Sequence, residues 1–538
     1  MNNEEENPMI KLTNIPNGEK ISDDFSVMVN GKQAQLYQVR VSDIPLYRTF
    51  TGEERPLETT ELASLLTFEA DEIVTIKLVP KKQFKNVTVR PLSEKICPEI
   101  SDSTITFSLR QSGQYVVELD DPHNALHIFF DPIKDYGVLP DAENTLYFGP
   151  GIHNIGQVVL TDGMTVYIDR DAVVYGSFLA YGSENIRILG NGILCGSWYE
   201  RGQDDILQVY DVTREADNCW ESRGQRKKLS KRLIPYKEYF TDRENYVPGT
   251  GSELYKNREQ FEKVIEVVQP IKAGLHFYHC RNVEVNGIIL RDVCGMTNTI
   301  IACEYVRYEN FKIIGMWRTN ADGIDFYNSR NCIVKNCFVR TYDDSICIKG
   351  KPGYDTLNTE NILIENCIIW NDLGRSLEFG VNTVAPEICH ITFKDCDIIH
   401  HTSDVMDIGN QDRANIHDIL FEDIRVEYSA YYLELTKKIF EILSCHSNKL
   451  VRSIVDCGLW SCDDIPGKNH HITFRNIDVL TDGNVPFLEI YISGKDAEHT
   501  SCNFVFENIK FNGQRLTSME QLNLQLGDYV KETDVVMI

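Results

Sequence analysis

The sequence is short of positive charge, of long apolar runs and of the closely spaced cysteines that mark redox or zinc sites. Lys and Arg number 54 against 80 Asp and Glu, a formal net charge of −26. Such a balance argues against a nucleic-acid or anionic-membrane partner. It also counts against a polyanionic substrate unless a cleft concentrates Lys and Arg locally. No apolar run approaches the ~20 residues of a membrane-spanning helix. The acidic start MNNEEENPMIKLTN contains no apolar signal-peptide core. Sixteen cysteines include no CxxC pair and no Cys/His set at zinc spacing, so no metal is expected. Buried reduced thiols are expected instead, and with them a cytoplasmic location. No Ser/His/Asp nucleophile set, phosphate loop or dinucleotide fingerprint stands out, and no cofactor is expected.

What is present is an ordinary globular composition, 42% hydrophobic and 25% charged, in a chain of 538 residues. That length exceeds the point at which single cores stop growing, so two domains are expected. Up to about residue 133 the chain alternates in short segments (FSVMVNG, AQLYQVRV, IVTIKLVP, TITFSL, QYVVELD) separated by turn residues. This pattern predicts an N-terminal antiparallel β-sandwich over residues 1–135, with a linker from Asp131 to Pro140. The texture then changes. Related units recur (NVEVNGIIL, CIVKNCFV, ILIENCIIW, ITFKDCDII, ITFRNIDVL, FVFENIKF), each one short strand with no helix between. Aligned on a polar residue they give Asn286, Asn310, Asn336, Asn366, Asp395, Asp423, Asn476 and Asn508, with gaps of 24, 26, 30, 29, 28, 53 and 32 residues. A repeat of this period predicts a parallel β-helix over 136–538. The next residue in most units is apolar, so Cys337, Cys367 and Cys396 are expected to stack in the core as small hydrophobes. The Asx column belongs at a turn. Two stretches break the rhythm, at about 200–270 with the basic patch Arg223 to Arg232, and at 428–468 with the helix-patterned YYLELTKKIFEILSC.

Chemistry concentrates between Trp317 and Gly350, where Asp322 and Asp325 form one acidic cluster and Asp343 and Asp344 another, 21 residues after the first. Equivalent positions on successive coils lie ~4.8 Å apart. One coil therefore stacks the clusters on one surface, where repulsion raises at least one pKa. A raised acid beside an ionised base is what glycoside cleavage needs. Strict alternation cannot aim both Asp343 and Asp344 at one cleft, so the backbone must bend there or one of them is buried. Stacked Asp residues that merely cap turns are the competing structural reading.

NADG with YDDSICIK resembles the NTDG and DD signatures of the polygalacturonase family, glycoside hydrolase family 28. The chain is also similar to the family 49 dextranases and isopullulanases, which join a β-sandwich to a β-helix. The resemblance covers most of residues 140–430 and implies a right-handed helix of the pectin-lyase type and inverting hydrolysis. It implies Asp343 as general acid and Asp322 with Asp344 as the pair that activates water. Asp325 falls where isopullulanase-like members carry an extra acid. The sequence departs from family 28 where Arg375 replaces the His of its GHG signature and Glu378 adds a carboxylate. Asp407 stands where that family has the Arg and Lys that bind a uronate. These departures favour a neutral poly- or oligosaccharide as the partner. Lys349, Arg375, Glu378, Asp407, Asp325, Trp317 and Tyr342 are the expected substrate-binding residues, with Arg318, His400, His401, Asn410, Gln411 and Arg413 as weaker candidates. The alternatives are a polygalacturonase-type hydrolase or lyase acting on a uronic-acid glycan, and a non-catalytic glycan-binding β-helix.

Overall fold

The computed structural model describes residues 10–43, 60–197, 199–201, 207–209, 274–318, 320–428, 454–459, 466–481 and 490–538. The basic patch and the helix-patterned segment of the two expected excursions lie outside these residues.

Two sheets form the N-terminal sandwich. One contains Phe25–Val29, Lys32–Ala34, Val74–Pro80, Glu99–Ser101 and Thr104–Leu109; the other contains Ile10–Leu12, Tyr37–Ser42, Thr60–Ala70, Val87–Arg90, Gly113–Leu119 and Asp121–Asp131. Pairings are antiparallel except that Asp121–Asp131 runs parallel to Thr60–Ala70. Alternation drives the assembly: Val27, Val29, Val74, Ile76 and Leu78 point into one apolar core, and the residues between them face solvent.

From Thr145–Phe148 onward the chain winds into a right-handed parallel β-helix of three faces. The first face is a 12-stranded ladder running to Val535–Met537. The second and third meet at bends and take alternate strands of a continuous 21-stranded array. Inward residues of all three faces (Ile324, Phe326, Val334, Val339, Ile346 and Ile348 in one coil and its neighbour) merge into one core. The Asx column lies at a turn, with one correction: Asn286 ends its strand paired with Glu309, and Gly287 (φ 89°) takes the turn position instead. Asn310, Asn336, Asn366, Asp395, Asp423, Asn476 and Asn508 all adopt a left-handed φ of 51–57°, which Asn and Asp tolerate better than other side chains. Successive members also bond, as when the Asn366 side-chain amide donates to Asn336 Oδ1 at 2.8 Å. Cys337, Cys367 and Cys396 stack inside, at most 1% exposed. The 53-residue gap contains one ordinary coil, in which the excursion begins after Arg425–Tyr428 and the chain returns at Val455–Leu459.

The sandwich lies against the second face. Tyr37, Val39, Val116 and Phe129 pack on Ile289, Ile314, Trp317, Phe338, Trp370 and Ile399 in a separate apolar seam. The third face is left to carry the chemistry.

Candidate active site

Asp343 and Asp344 occupy the bend between Phe338–Thr341 on the second face and Ile346–Gly350 on the third. The bend resolves the conflict with strict alternation, since Asp343 is half-buried and Asp344 is 5% exposed. Hydrogen bonds hold its shape. The Thr341 hydroxyl and the Asn371 side-chain amide each donate to the Asp343 carbonyl at 2.7 Å, and the Asp344 N–H donates to Asp343 Oδ1 at 3.2 Å. Gly374 crosses directly beside this bend. A Cβ there would sit 2.4 Å from Asp344 N and 2.5 Å from the Asp343 carbonyl carbon, so only glycine fits. Gly323 of NADG has the same constraint, with Ser345 O 2.2 Å from where its Cβ would be.

The coil-to-coil register differs from the sequence expectation by one residue. Ile324 pairs with Ile346, an offset of 22, so Asp322 stacks over Asp344 rather than Asp343. The Gly323 N–H donates to Asp344 O at 2.8 Å and carries the ladder into the loop. The next offset, from Ile346 to Leu377, is 31 and brings Arg375 over Asp344. Three residues on, the third face presents an outward column that steps through Asp325, Cys347, Glu378, Asp407 and Asp456 on successive coils.

Two cations hold this acidic surface together. Lys349 Nζ lies 2.8 Å from Asp325 Oδ1 and 3.0 Å from Asp322 Oδ2, and the lysine is 1% exposed. Lys349 was expected to touch substrate; the structure makes it an internal counter-ion. Arg375, with 30% of its side chain exposed, lies 3.2 Å from Asp407, 3.6 Å from Glu378 and 3.8 Å from Asp344. Its backbone N–H donates to Asp344 Oδ1 at 2.9 Å. Arg375 thus pairs with three carboxylates, where sequence reasoning placed it against Glu378 or a substrate acid.

This environment drives neighbouring acids apart. Burial and the adjacent Asp344 charge push Asp343 up to about 6. Burial would raise Asp344 too, but a hydrogen bond from Glu378 and the Arg375 charge outweigh it and hold Asp344 below the usual carboxylate range. Glu378 is raised by burial and by Asp344, which suits it to keep the shared proton. Burial likewise raises Asp322, with Lys349 opposing. The result is a half-open acid beside an ionised base.

The profile of Glycosyl hydrolases family 28 matches residues 247–433, a span that contains every carboxylate in this network except Asp456. Over these residues the chain is similar to glycoside hydrolase family 28. It is 23% identical to the exo-poly-alpha-D-galacturonosidase of Dickeya chrysanthemi over 371 residues, which is 66% of this chain and 54% of that protein. The chain therefore spans about half the length of this curated relative. Among solved structures, Dex49A from Penicillium minioluteum is similar over 98% of this chain and 89% of that one, at 14% identity and a TM-score of 0.52. That likeness is one of fold and extends through the sandwich. An exopolygalacturonase from Thermotoga maritima covers 69% of this chain and 85% of its own, at 14% identity and a TM-score of 0.43.

In this family-28-like chain several expected contacts lie elsewhere. Trp317 is 1% exposed in the seam under the sandwich, where its indole N–H donates to Asp292 Oδ1 at 2.9 Å. No ring face is left for a sugar. Arg318 lies over that indole at 4.4 Å and pairs with Asp292. Tyr342, also 1% exposed, is buried at the bend itself. His400 pairs with Glu118 of the sandwich and lies against Trp370, and His401 bonds Ser403 O at 3.1 Å. Asn410 ties turns together by donating to Ala414 O at 2.8 Å and Asn469 Oδ1 at 3.0 Å. Arg413 lies 3.9 Å from Asp355, and Gln411 is half-buried nearby in the sequence. Sequence reasoning passed over Cys347 and Asp456. Cys347 has the parity of Lys349 and could have been found from alternation alone. Asp456 follows the long excursion, which hides its register.

Proposed function

We propose that this chain is a glycoside hydrolase that cleaves O-glycosidic bonds of a poly- or oligosaccharide with inversion at the anomeric carbon. Asp343 is the general acid, and Asp344 with Asp322 activates water. The observation that carries this reading is the separation of Asp343 and Asp344, adjacent in sequence yet pushed in opposite directions by their surroundings. The Asp343 carboxyl donates its proton to the glycosidic oxygen as the bond from that oxygen to the anomeric carbon breaks. Water attacks the opposite face of the ring and gives its proton to the base pair.

The charge pattern supports a neutral sugar. Lys349 is buried against Asp322 and Asp325, and Arg375 already faces Asp344, Glu378 and Asp407. A uronate carboxylate would meet this acidic surface and be repelled, whereas sugar hydroxyls donate to it readily. The curated relative is named for a polymer of galacturonate, so the choice of sugar is where this chain is expected to differ. A panel of neutral and uronic-acid oligosaccharides tests it by the release of reducing ends. Faster hydrolysis of a neutral glycan supports the reading, and turnover confined to polygalacturonate overturns it. New ends that absorb in the ultraviolet would identify a lyase.

A further inference from the structure

The first face carries a set of donors that the catalytic network does not use. Cys389 sits on the strand Glu387–Lys394 and pairs in register with His417 on Asn415–Glu422, which pairs in turn with His470 on Lys468–Arg475. Within this stack the carboxylate of Glu387, Sγ of Cys389 and a ring nitrogen of His417 all lie within 4.8 Å of one another. Nε2 of His417 is 3.9 Å from Glu387 Oε1. The thiol is 2% exposed, and the carboxylates of Glu387, Glu360 and Asp418 surround it with negative potential.

A separate feature prepares the imidazole for a ligand. Asp418 accepts from the His417 Nδ1–H at 2.8 Å. That bond sets the tautomer and leaves Nε2 unprotonated, 3.9 Å from Glu387 Oε1. A carboxylate behind one ring nitrogen is the usual outer support of a metal-bound histidine. The His470 ring lies parallel to His417 with centroids 5.0 Å apart and planes within 2°, which holds the imidazole plane. His470 is itself committed, since its Nε2 bonds Asn415 Oδ1 at 2.9 Å.

We propose that Glu387, Cys389 and His417 form a site for one divalent zinc-class ion on the first face, with Asp418 positioning the histidine and water completing a tetrahedron. One carboxylate oxygen, one thiolate and one imidazole suit zinc or cobalt(II) and disfavour magnesium or calcium, which prefer all-oxygen sets. Binding breaks the Cys389 S–H bond, forms a sulfur–metal bond and releases one proton to solvent. The ligands come from two successive coils, 28 residues apart between Cys389 and His417, so the ion clips one coil to the next. A search for short Cys/His spacings could not detect such a set.

The test uses the full chain after treatment with a chelator, titrated with Zn²⁺ by calorimetry and with Co²⁺ by absorption spectroscopy. The expected result is one ion per chain, release of about one proton on zinc binding and a cobalt–thiolate charge-transfer band. Cys389→Ser should abolish that band, and Asp418→Asn should weaken zinc binding by about 10–100-fold. Both variants should keep the far-ultraviolet circular dichroism of the parent and its activity on glycans, because neither residue touches the catalytic bend. Absence of binding overturns the proposal. So does a cobalt–thiolate band that persists in Cys389→Ser, which would mark adventitious binding at another thiol.

Discussion

Asp343 and Asp344 are chemically identical neighbours that the fold makes unequal. With Asp343 raised to about 6, the acid loses its proton as pH rises through that value. kcat/KM should therefore fall on the basic side of about pH 6. It should hold on the acidic side down to below the ordinary carboxylate range, because Asp344 stays ionised there. A pH–rate profile checks both limbs. Asp343→Asn should cost on the order of 10²–10⁴ in kcat, with a melting temperature close to that of the parent. Replacing Arg375 by Met removes the cation that stabilises the Asp344 anion, so the acidic limb should move to higher pH. An unmoved limb would show that Arg375 does not tune the base. The existence of these acids was legible from NADG and YDDS. That one of them would be raised was expected from their repulsion, and the resemblance implied Asp343 as the acid; what holds Asp344 down was not legible, because it comes from Glu378 and Arg375 on the next coil.

At the scale of the coil, backbone spacing governs what each position can hold. Gly374→Ala would drive a Cβ into the Asp343–Asp344 bend. Displacing catalytic carboxylates by ~1 Å can cost about 10²-fold in rate, so this variant should lose activity out of proportion to its loss of stability. Steady-state kinetics alongside thermal unfolding separate the two effects. In the core, Phe393, Phe421, Phe474 and Phe506 stack ring on ring at 4.9–5.1 Å. Phe421→Ala should destabilise by about 3–5 kcal/mol, measured by denaturant unfolding. The coils themselves were readable in advance because their Asx turns and inward apolar positions repeat at a nearly constant period. Register was less accessible. Counting acid to acid placed Asp322 over Asp343, whereas the inward residues Ile324 and Ile346 set the offset and place it over Asp344.

At the scale of the whole molecule, the sandwich seals one face of the helix and leaves another to the chemistry. The seam is apolar at its centre and charged at one edge. There Arg90 bonds Glu118 at 2.8 Å and pairs with Glu427 of the helix, while His400 pairs with Glu118. Arg90→Met would remove the cation shared by two buried carboxylates, leaving Glu118 with His400 and Glu427 with the Leu92 N–H, and should cost about 3–5 kcal/mol, seen as a lower melting temperature of the whole chain. The seam explains why Trp317 and His400 read as ligand residues in the sequence. They carry the residue types of a sugar site, and only the packing of the sandwich shows that they are already occupied. The acidity of the third face, by contrast, follows from Asp407 and Glu378 as the sequence presents them, whereas the commitment of Lys349 and Arg375 to those acids does not.

The central claim is an acid and a base acting from opposite faces of the sugar ring. NMR of the anomer first released from a neutral oligosaccharide tests it most directly. Inverted configuration in the first product is the predicted result, and a first product that retains the configuration of the substrate would contradict the account.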